Sequence, residues 1–559
     1  MIAHPPAFIA AARQASVGDS PALCLPLEPP WLGCAHVGSS VAAGRTQWRQ
    51  HQRRRAKPRP GDKVLEHRDI VGTPGYRLYV LLSLTFIYTL NFIDRNLLGV
   101  VGPQIRAEFG LSGTEYGFLN GPPFALFYAL MGIPIAMAAD RFNRVAIMAL
   151  CIAIWSLMTA LCGFASSFVF LLIARIGVAI GEAGSTPPSN SILADYFKPK
   201  SRANALGIFA MGVTIGSALA SGFGGVIVGL TDETVVSFFA SVGIGDIHEQ
   251  LGWGENFGWR FAFIALGLPG LVIALILFLT VKEPPRGFSD PPGTSRIEKA
   301  NILETLKELG GKPTFWTMSI GAALVAFVGY SMFAFQALMM DGLHGMHSGT
   351  FALQYGVPLA LISAVGTFGG GYLTQMLTPR STNAVAWIPA VGLIIAIPLY
   401  IAGFYMVPGL PQLAVWGAGA LFHYAYLGSQ YTIGQGVVSA RSRASAIAIL
   451  LFIVAVIGNG IGPLVGGILS DLFMGMQIKQ FDTSGLLTLE QCIKAVSART
   501  PEAVAALGLS PESMTVCKEA YGEGLRQSMA AVVLFFIPAS AFFYLASRTL
   551  KKDLVAKPV

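Results

Sequence analysis

The stretch "YRLYVLLSLTFIYTLNFIDRNLLGVV", residues 76–101, decides the fold. A helix rises 1.5 Å per residue, so this run is long enough to cross the roughly 30 Å hydrocarbon core of a bilayer. Yet Asp94 and Arg95 stand side by side within it. A charge at bilayer depth costs about 2.5 to 3.5 kcal/mol on insertion scales, so such residues mark a pathway or a partner.

Working outward, the same pattern recurs. The chain has 559 residues, 53% of them hydrophobic and 12% charged, and a mean hydropathy of +0.59. A soluble domain is about a quarter charged, so this is a polytopic membrane protein. Apolar segments of spanning length are predicted at 76–101, 116–139, 145–163, 168–193, 203–230 and 259–281, and again at 313–340, 351–376, 384–405, 413–438, 444–469 and 525–546. Glycine and proline within them, such as Gly121, Pro122, Pro123 and Pro134, permit local bending where neighbouring helices resatisfy the backbone.

Short loops rich in Lys and Arg stay in the cytoplasm. Arg141 and Arg144 follow span two, Lys198, Lys200 and Arg202 follow span four, Arg441 and Arg443 follow span ten, and Arg548, Lys551 and Lys552 close the chain. The alternate loops 231–256 and 341–350 carry neither Lys nor Arg. A multi-pass plasma (inner) membrane protein with both termini cytoplasmic is therefore expected. Its net charge of +8 reflects this topology and a basic tail, with no nucleic acid implied. Residues 1–75, with the run "RTQWRQHQRRRAKPRP", show no helical periodicity and no signal-peptide core, and are expected to be a disordered cytoplasmic tail.

Cys24 and Cys34 fall in that tail, and Cys151 and Cys162 in span three, where buried thiols serve as packing. Cys492 and Cys517 share the loop between spans eleven and twelve, on the side expected to be outside, and are a disulfide candidate there.

The charged linker 282–312 divides the spans six and six, giving an N-terminal bundle 76–281, a C-terminal bundle 313–547 and a short tail 548–559. The halves resemble each other. "RANALGIFAMGVTIGSALASGFGGVI" from Arg202 and "RASAIAILLFIVAVIGNGIGPLVGGIL" from Arg443 share R-A-x-A, then Gly216 or Gly458, then the pairs Gly224–Gly225 or Gly466–Gly467, with one residue of slippage. Two duplicated halves point to a secondary transporter that rocks about a midplane site. A membrane enzyme or receptor is the competing reading. The chain lacks a metal-ligand pair, a G-x-S-x-G and a nucleotide loop to support an enzyme.

The loop "AADRFNRV", residues 138–145, resembles the signature of the major facilitator superfamily, G-x-x-x-D-R-x-G-R-R. Asp140, Arg141 and Arg144 match, while Ala136, Asn143 and Val145 depart from it. The resemblance implies an all-α fold of about twelve membrane helices in two six-helix bundles. It also implies gating by Asp140, Arg141 and Arg144, with Asp140 latching the outward-facing state against span eleven. The alternative is that these residues only mark topology. "NFIDRNLLGVVGPQIRAEFGLS", "DRFNR" and "RIGVAIGEAGSTPPSNSILADYFKPKSRANA" resemble the spinster group of lysolipid and sphingolipid transporters more closely.

Span four is readable without a family. Arg175 and Glu182 are seven residues apart and share a face, with Gly177, Gly181 and Gly184 near the opposite one. Small residues at helical spacing let membrane helices approach closely. Asp94 and Arg175 lie at similar depth in antiparallel spans, so a contact between them is expected, with Glu182 deeper and Arg95 about 100° around its helix from Asp94. The four charges then form either a structural lock or a proton switch. The spinster resemblance implies Asp94 and Glu182 for proton coupling, and Arg95 and Arg175 freed to hold the anionic group of the substrate.

The second half offers "FVGYSMFAFQALMM" in span seven and "FHYAYLGSQYTIGQ" in span ten, with no interior acid or arginine. Tyr330, Gln336, His423, Tyr426 and Gln430, with Asn91 in span one, are the remaining substrate-binding candidates. His423, Tyr426 and Gln430 recur at i, i+3 and i+7, and packing is the alternative for the histidine. Charges on one wall and aromatics on the other suit an anionic amphiphile such as a lysophospholipid, or a small organic anion or drug. The expectation is a monomeric, proton-driven carrier with membrane lipid or an amphiphile as substrate and no cofactor.

Overall fold

The computed structural model describes residues 73–555, apart from 244, 252, 254–257, 287, 290–301, 440, 483–484 and 499–500. The basic tail through residue 72, with Cys24 and Cys34, and the middle of the linker lie outside the described residues. Those described form helices and turns, with no strand among them.

In the first half, span one is Pro74–Phe109, span two Gly113–Asn120 and Pro122–Arg141, and span three Arg144–Gly163. Span four is Phe168–Glu182 and Thr186–Tyr196, span five Pro199–Val228 and span six Gly258–Thr280. In the second half, span seven is Pro313–His344 and span eight Ser348–Phe351, Ala352–Gly356 and Val357–Leu377. Span nine is Ala384–Phe404, and span ten Leu410–Tyr424 and Tyr426–Gly436. Span eleven is Arg443–Ile453, Val454–Ile461 and Gly462–Phe481, and span twelve Pro511–Val533 and Phe536–Asp553.

Eleven of these are long and apolar enough to cross a membrane. Span ten is the exception, because His423, Tyr424, Tyr426, Gln430, Tyr431 and Gln435 lower its hydropathy; its helix also breaks at Ala425. Span twelve exceeds its expected 525–546. Its 43 residues extend about 65 Å at helical rise, so the polar first turns project beyond the bilayer. Cys492, on the short helix Leu489–Ser497, is joined to Cys517 of that extension, with Cα atoms 4.9 Å apart.

Leu78, Leu82 and Phe86 recur four residues apart and are exposed, a stripe turned toward lipid. Opposite faces carry the helix contacts. Gly177, Gly181 and Gly184 of span four lie against Met158, Trp155 and Cys151 of span three, as a small-residue face requires.

The internal repeat has a packing meaning. Gly216 seats span five on Thr89 and Phe92 of span one, and Gly458 seats span eleven on Ala326 of span seven. Gly225 meets the start of span eight, and Gly467 meets the start of span two. The one-residue slippage between the copies falls where span eleven forms a π-helix, Val454–Ile461, while span five stays α-helical throughout. A π-turn absorbs an inserted residue without disturbing the helix on either side.

The halves meet most closely on the side away from the described chain ends, here called the far side. Gly113, Gly117 and Gly121 of span two are spaced four apart and face Gly467, Pro463 and Gly460 of span eleven. Gln104 donates to Ser348 at 2.7 Å, and Tyr116 packs edge-on against Phe335. On the side of the chain ends, Thr186–Tyr196 and Arg443–Ile453 pack within their own halves. The far side is closed.

Candidate functional site

Four charges lie deep in the first half. Glu182, fully buried, accepts from Arg95 Nη2 at 2.8 Å and from its Nε at 3.1 Å. Arg175 Nη1 stands 3.9 Å from Asp94 Oδ1, and Thr159 Oγ1 donates to Asp94 Oδ2. Two acids and two guanidiniums make a neutral quartet, which is how charge is tolerated at this depth.

Aromatic rings hold the guanidiniums. Arg95 lies 5.0 Å from the Phe92 ring, 5.1 Å from Phe124 and 4.7 Å from Tyr128. Arg175 lies 5.1 Å from the same Phe124. Sequence reasoning did not single out Thr159, Phe124 or Tyr128, because a threonine or an aromatic in an apolar span carries no distinguishing signal of its own.

Hydrogen bonding in the quartet is incomplete. Asn91 Nδ2, Arg175 Nε and Nη1, Asp94 Oδ1, Glu182 Oε1 and, from span ten, Gln430 Oε1 are buried without hydrogen-bond partners. A buried polar atom left unpaired costs about 1 to 3 kcal/mol, so these atoms are places for water or a ligand. A cavity of about 20 Å³ opens beside Asp94, with Ser156 and Thr159 in its wall, room for a water molecule.

The second-half candidates divide. Tyr330 of span seven is half-buried. Gln336 is half-buried farther along the same span. His423 and Tyr426 are buried within the second half, the imidazole beside Gly329 of span seven. Tyr400 Oη and His423 Nδ1 are 3.2 Å apart, Phe536 packs on the imidazole, and Tyr426 stacks between His423 and Phe543. Both side chains are buried among spans seven, nine, ten and twelve. The break at Ala425 interrupts the single face on which His423, Tyr426 and Gln430 were expected.

The signature-loop residues also separate. Asp140 is exposed, 4.0 Å from Arg286, with no contact to span eleven shown in this state. Arg141 is exposed as well. Arg144 is buried and bridges Asp195 and Glu283, at 2.5 Å each, and donates to Ser191 and to Pro284 O. It clamps spans three and four and the segment after span six within one half.

Residues 84–463 match the Major Facilitator Superfamily. The chain belongs to this superfamily. A crystal structure of a bacterial homolog of the human lysosomal transporter Spinster, inward-facing and unoccupied, is 50% identical. It covers 87% of this chain and 100% of its own, with a TM-score of 0.79. An MFS-type efflux pump of Mycolicibacterium smegmatis is 29% identical over 69% of this chain and 83% of its own length. Protein spinster of Drosophila melanogaster is 25% identical over 83% of this chain and 76% of its own. The chain is thus a spinster-like, multi-pass member of the major facilitator superfamily, a transporter and not an enzyme.

Proposed function

We propose that this transporter moves an anionic amphiphile, a lysophospholipid or sphingolipid-like molecule, by alternating access coupled to protons. The observation that carries the reading is the neutral quartet with its unpaired donors and acceptors. Protonating Asp94 or Glu182 neutralises one acid and leaves one guanidinium without its counter-charge. A buried cation in that condition needs an anion, so each proton taken up favours one negative charge on the substrate. Arg95, Arg175 and Asn91 serve the ionic head, while Tyr330, Gln336 and Gln430 line the route of the tail and the glycerol or sphingoid polar groups.

The chain ends lie in the cytoplasm in this reading, in an inner or plasma membrane, and the closed far side is the outside. The structure then corresponds to an inward-facing state, as in the 50% identical homolog. Asp140 is paired with Arg286 here and latches onto span eleven only when the inner side closes, with Arg141 and Arg144 shaping that loop. The two bundles, 76–281 and 313–547, rock as units about the linker.

Uptake by the purified protein in proteoliposomes tests the substrate. A fluorescent lysophospholipid and a small organic anion are assayed in parallel. Movement of the lysophospholipid supports the proposal, and movement of the organic anion alone refutes it in favour of an organic-anion or drug carrier.

A further inference from the structure

Phe124 stands between the two guanidiniums of the quartet. Its ring centroid is 5.1 Å from Arg95 and 5.1 Å from Arg175, and its face stacks on Tyr128 at 6.1 Å. It is 2% exposed, so the ring is fixed by packing rather than held by chance at a surface. Two like charges at this depth repel strongly, and an aromatic ring is suited to separate them, because its negative face attracts both cations.

The placement of that ring depends on a joint between the halves. Span two breaks at Gly121, whose φ of −110° and ψ of −95° leave the helical region. Pro122 and Pro123 follow it, and neither has an N–H to continue the hydrogen-bond ladder. The break is seated on span eleven. A Cβ on Gly121 would come within 2.3 Å of Gly460 O, inside the π-helix Val454–Ile461. Ala125, next to Phe124, in turn lies 3.3 Å from where a Cβ on Gly460 would stand. The two irregular helix segments of the far-side contact therefore meet one turn from the ring that both arginines share.

We propose that Phe124 is the positioning residue that couples the far-side gate to the charge quartet. While spans two and eleven are closed, the Gly121–Gly460 seat holds the ring between Arg95 and Arg175, and each arginine is kept with its own acid. When the gate opens, the seat is lost, span two carries the ring out, and the arginines are released. This rests on the reading of the quartet as a switch given above.

The test is a cycle read at the gate. Spin labels on Phe118→Cys in span two and Gln480→Cys in span eleven report the far-side distance in the full chain, with Cys24 and Cys34 changed to Ser. Cys151 and Cys162 are buried, and Cys492 and Cys517 are bonded. Glu182→Gln is measured with Phe124, with Phe124→Leu and with Phe124→Tyr. With Phe124 or its tyrosine variant, Glu182→Gln is expected to shift the open-to-closed ratio by about threefold or more, the scale of one cation–π contact. With leucine, which keeps the bulk and loses the ring, that shift is expected to vanish. Equal shifts in all three backgrounds overturn the role of Phe124 and leave the switch standing. No shift even with Phe124 present overturns the switch and the positioning role together.

Discussion

Asp471 ties the two halves together on the closed far side. It lies midway along the helix Gly462–Phe481 of span eleven, half-buried, and accepts from the backbone of Gly113 and Thr114 at 2.8 Å each and from Thr114 Oγ1 at 2.6 Å. Those amides begin span two, so a carboxylate of one half caps a helix of the other. The equivalent position in the repeat is Gly229 of span five, opposite Gly349 of span eight, and glycine carries no carboxylate. Asp471→Ala removes all three bonds while leaving each half intact. A hydrogen bond to a charged group contributes about 1.5 to 3 kcal/mol net. The freed amides regain water when the gate opens, so the whole set stabilises closure by about 2 to 3 kcal/mol, a 30- to 150-fold change in the open-to-closed ratio. Double electron–electron resonance between labels at positions 118 and 480 measures that ratio. Asp471→Asn, which retains an acceptor, is expected to fall between. An unchanged distance distribution in Asp471→Ala refutes the assignment of Asp471 as the latch.

Further outcomes follow from other contacts. Gly181→Ala places a Cβ 2.6 Å from Trp155 N, a backbone atom that cannot swing aside, so spans three and four must part. Thermal unfolding in detergent is expected to show a loss of about 1 to 3 kcal/mol, and an unchanged midpoint contradicts the packing. Reducing Cys492–Cys517 reopens a 25-residue loop. The loss is expected at about 3 kcal/mol, read as a lower midpoint with reductant than without, and no change means the bond adds nothing to stability. Glu308 lies on the linker helix Ile302–Gly310, outside the membrane. Its partial burial raises the pKa, but hydrogen bonds from Ser442 and Ser439 outweigh this and hold it below the usual carboxylate range. A depressed pKa means stability that is complete above the unfolded value of about 4.3 and lost as pH falls through the folded one. Protection of the amides in residues 302–310, taken as exchange relative to the intrinsic rate at each pH, should therefore be high near neutral pH and fall as the carboxylate is protonated in acid, whereas in Glu308→Gln it should be low at both; a wild-type protection that does not change with pH opposes this.

The spans were legible because hydropathy over twenty residues integrates many weak preferences into one strong signal. Their irregularities were legible only in part. Gly121, Pro122 and Pro123 announced a bend, and the break falls there, but Pro134 stays inside an unbroken helix. The slippage of one residue between the repeats was visible, yet only coordinates reveal it as a π-helix. Ala425 gives no warning of the break in span ten, since alanine favours helix and the interruption is imposed by tertiary packing. At the site, Asp94, Arg95, Arg175 and Glu182 stood out because charge in hydrocarbon is costly and needs a reason. Phe124, Thr159 and Asp471 did not stand out. The first two are ordinary in a membrane span, Asp471 looks like any acid just beyond an apolar run, and the role of each exists only through a partner distant in sequence.

The central claim is that protons and an anionic amphiphile move through one charge quartet. Proteoliposomes loaded with a pH-sensitive dye, with no imposed gradient, test it when lysophospholipid is added outside. Wild type is predicted to change the internal pH together with lysophospholipid movement, with Asp94→Asn and Glu182→Gln abolishing the proton signal. Lysophospholipid movement with no change of internal pH, or a proton signal that survives in both variants, contradicts the account.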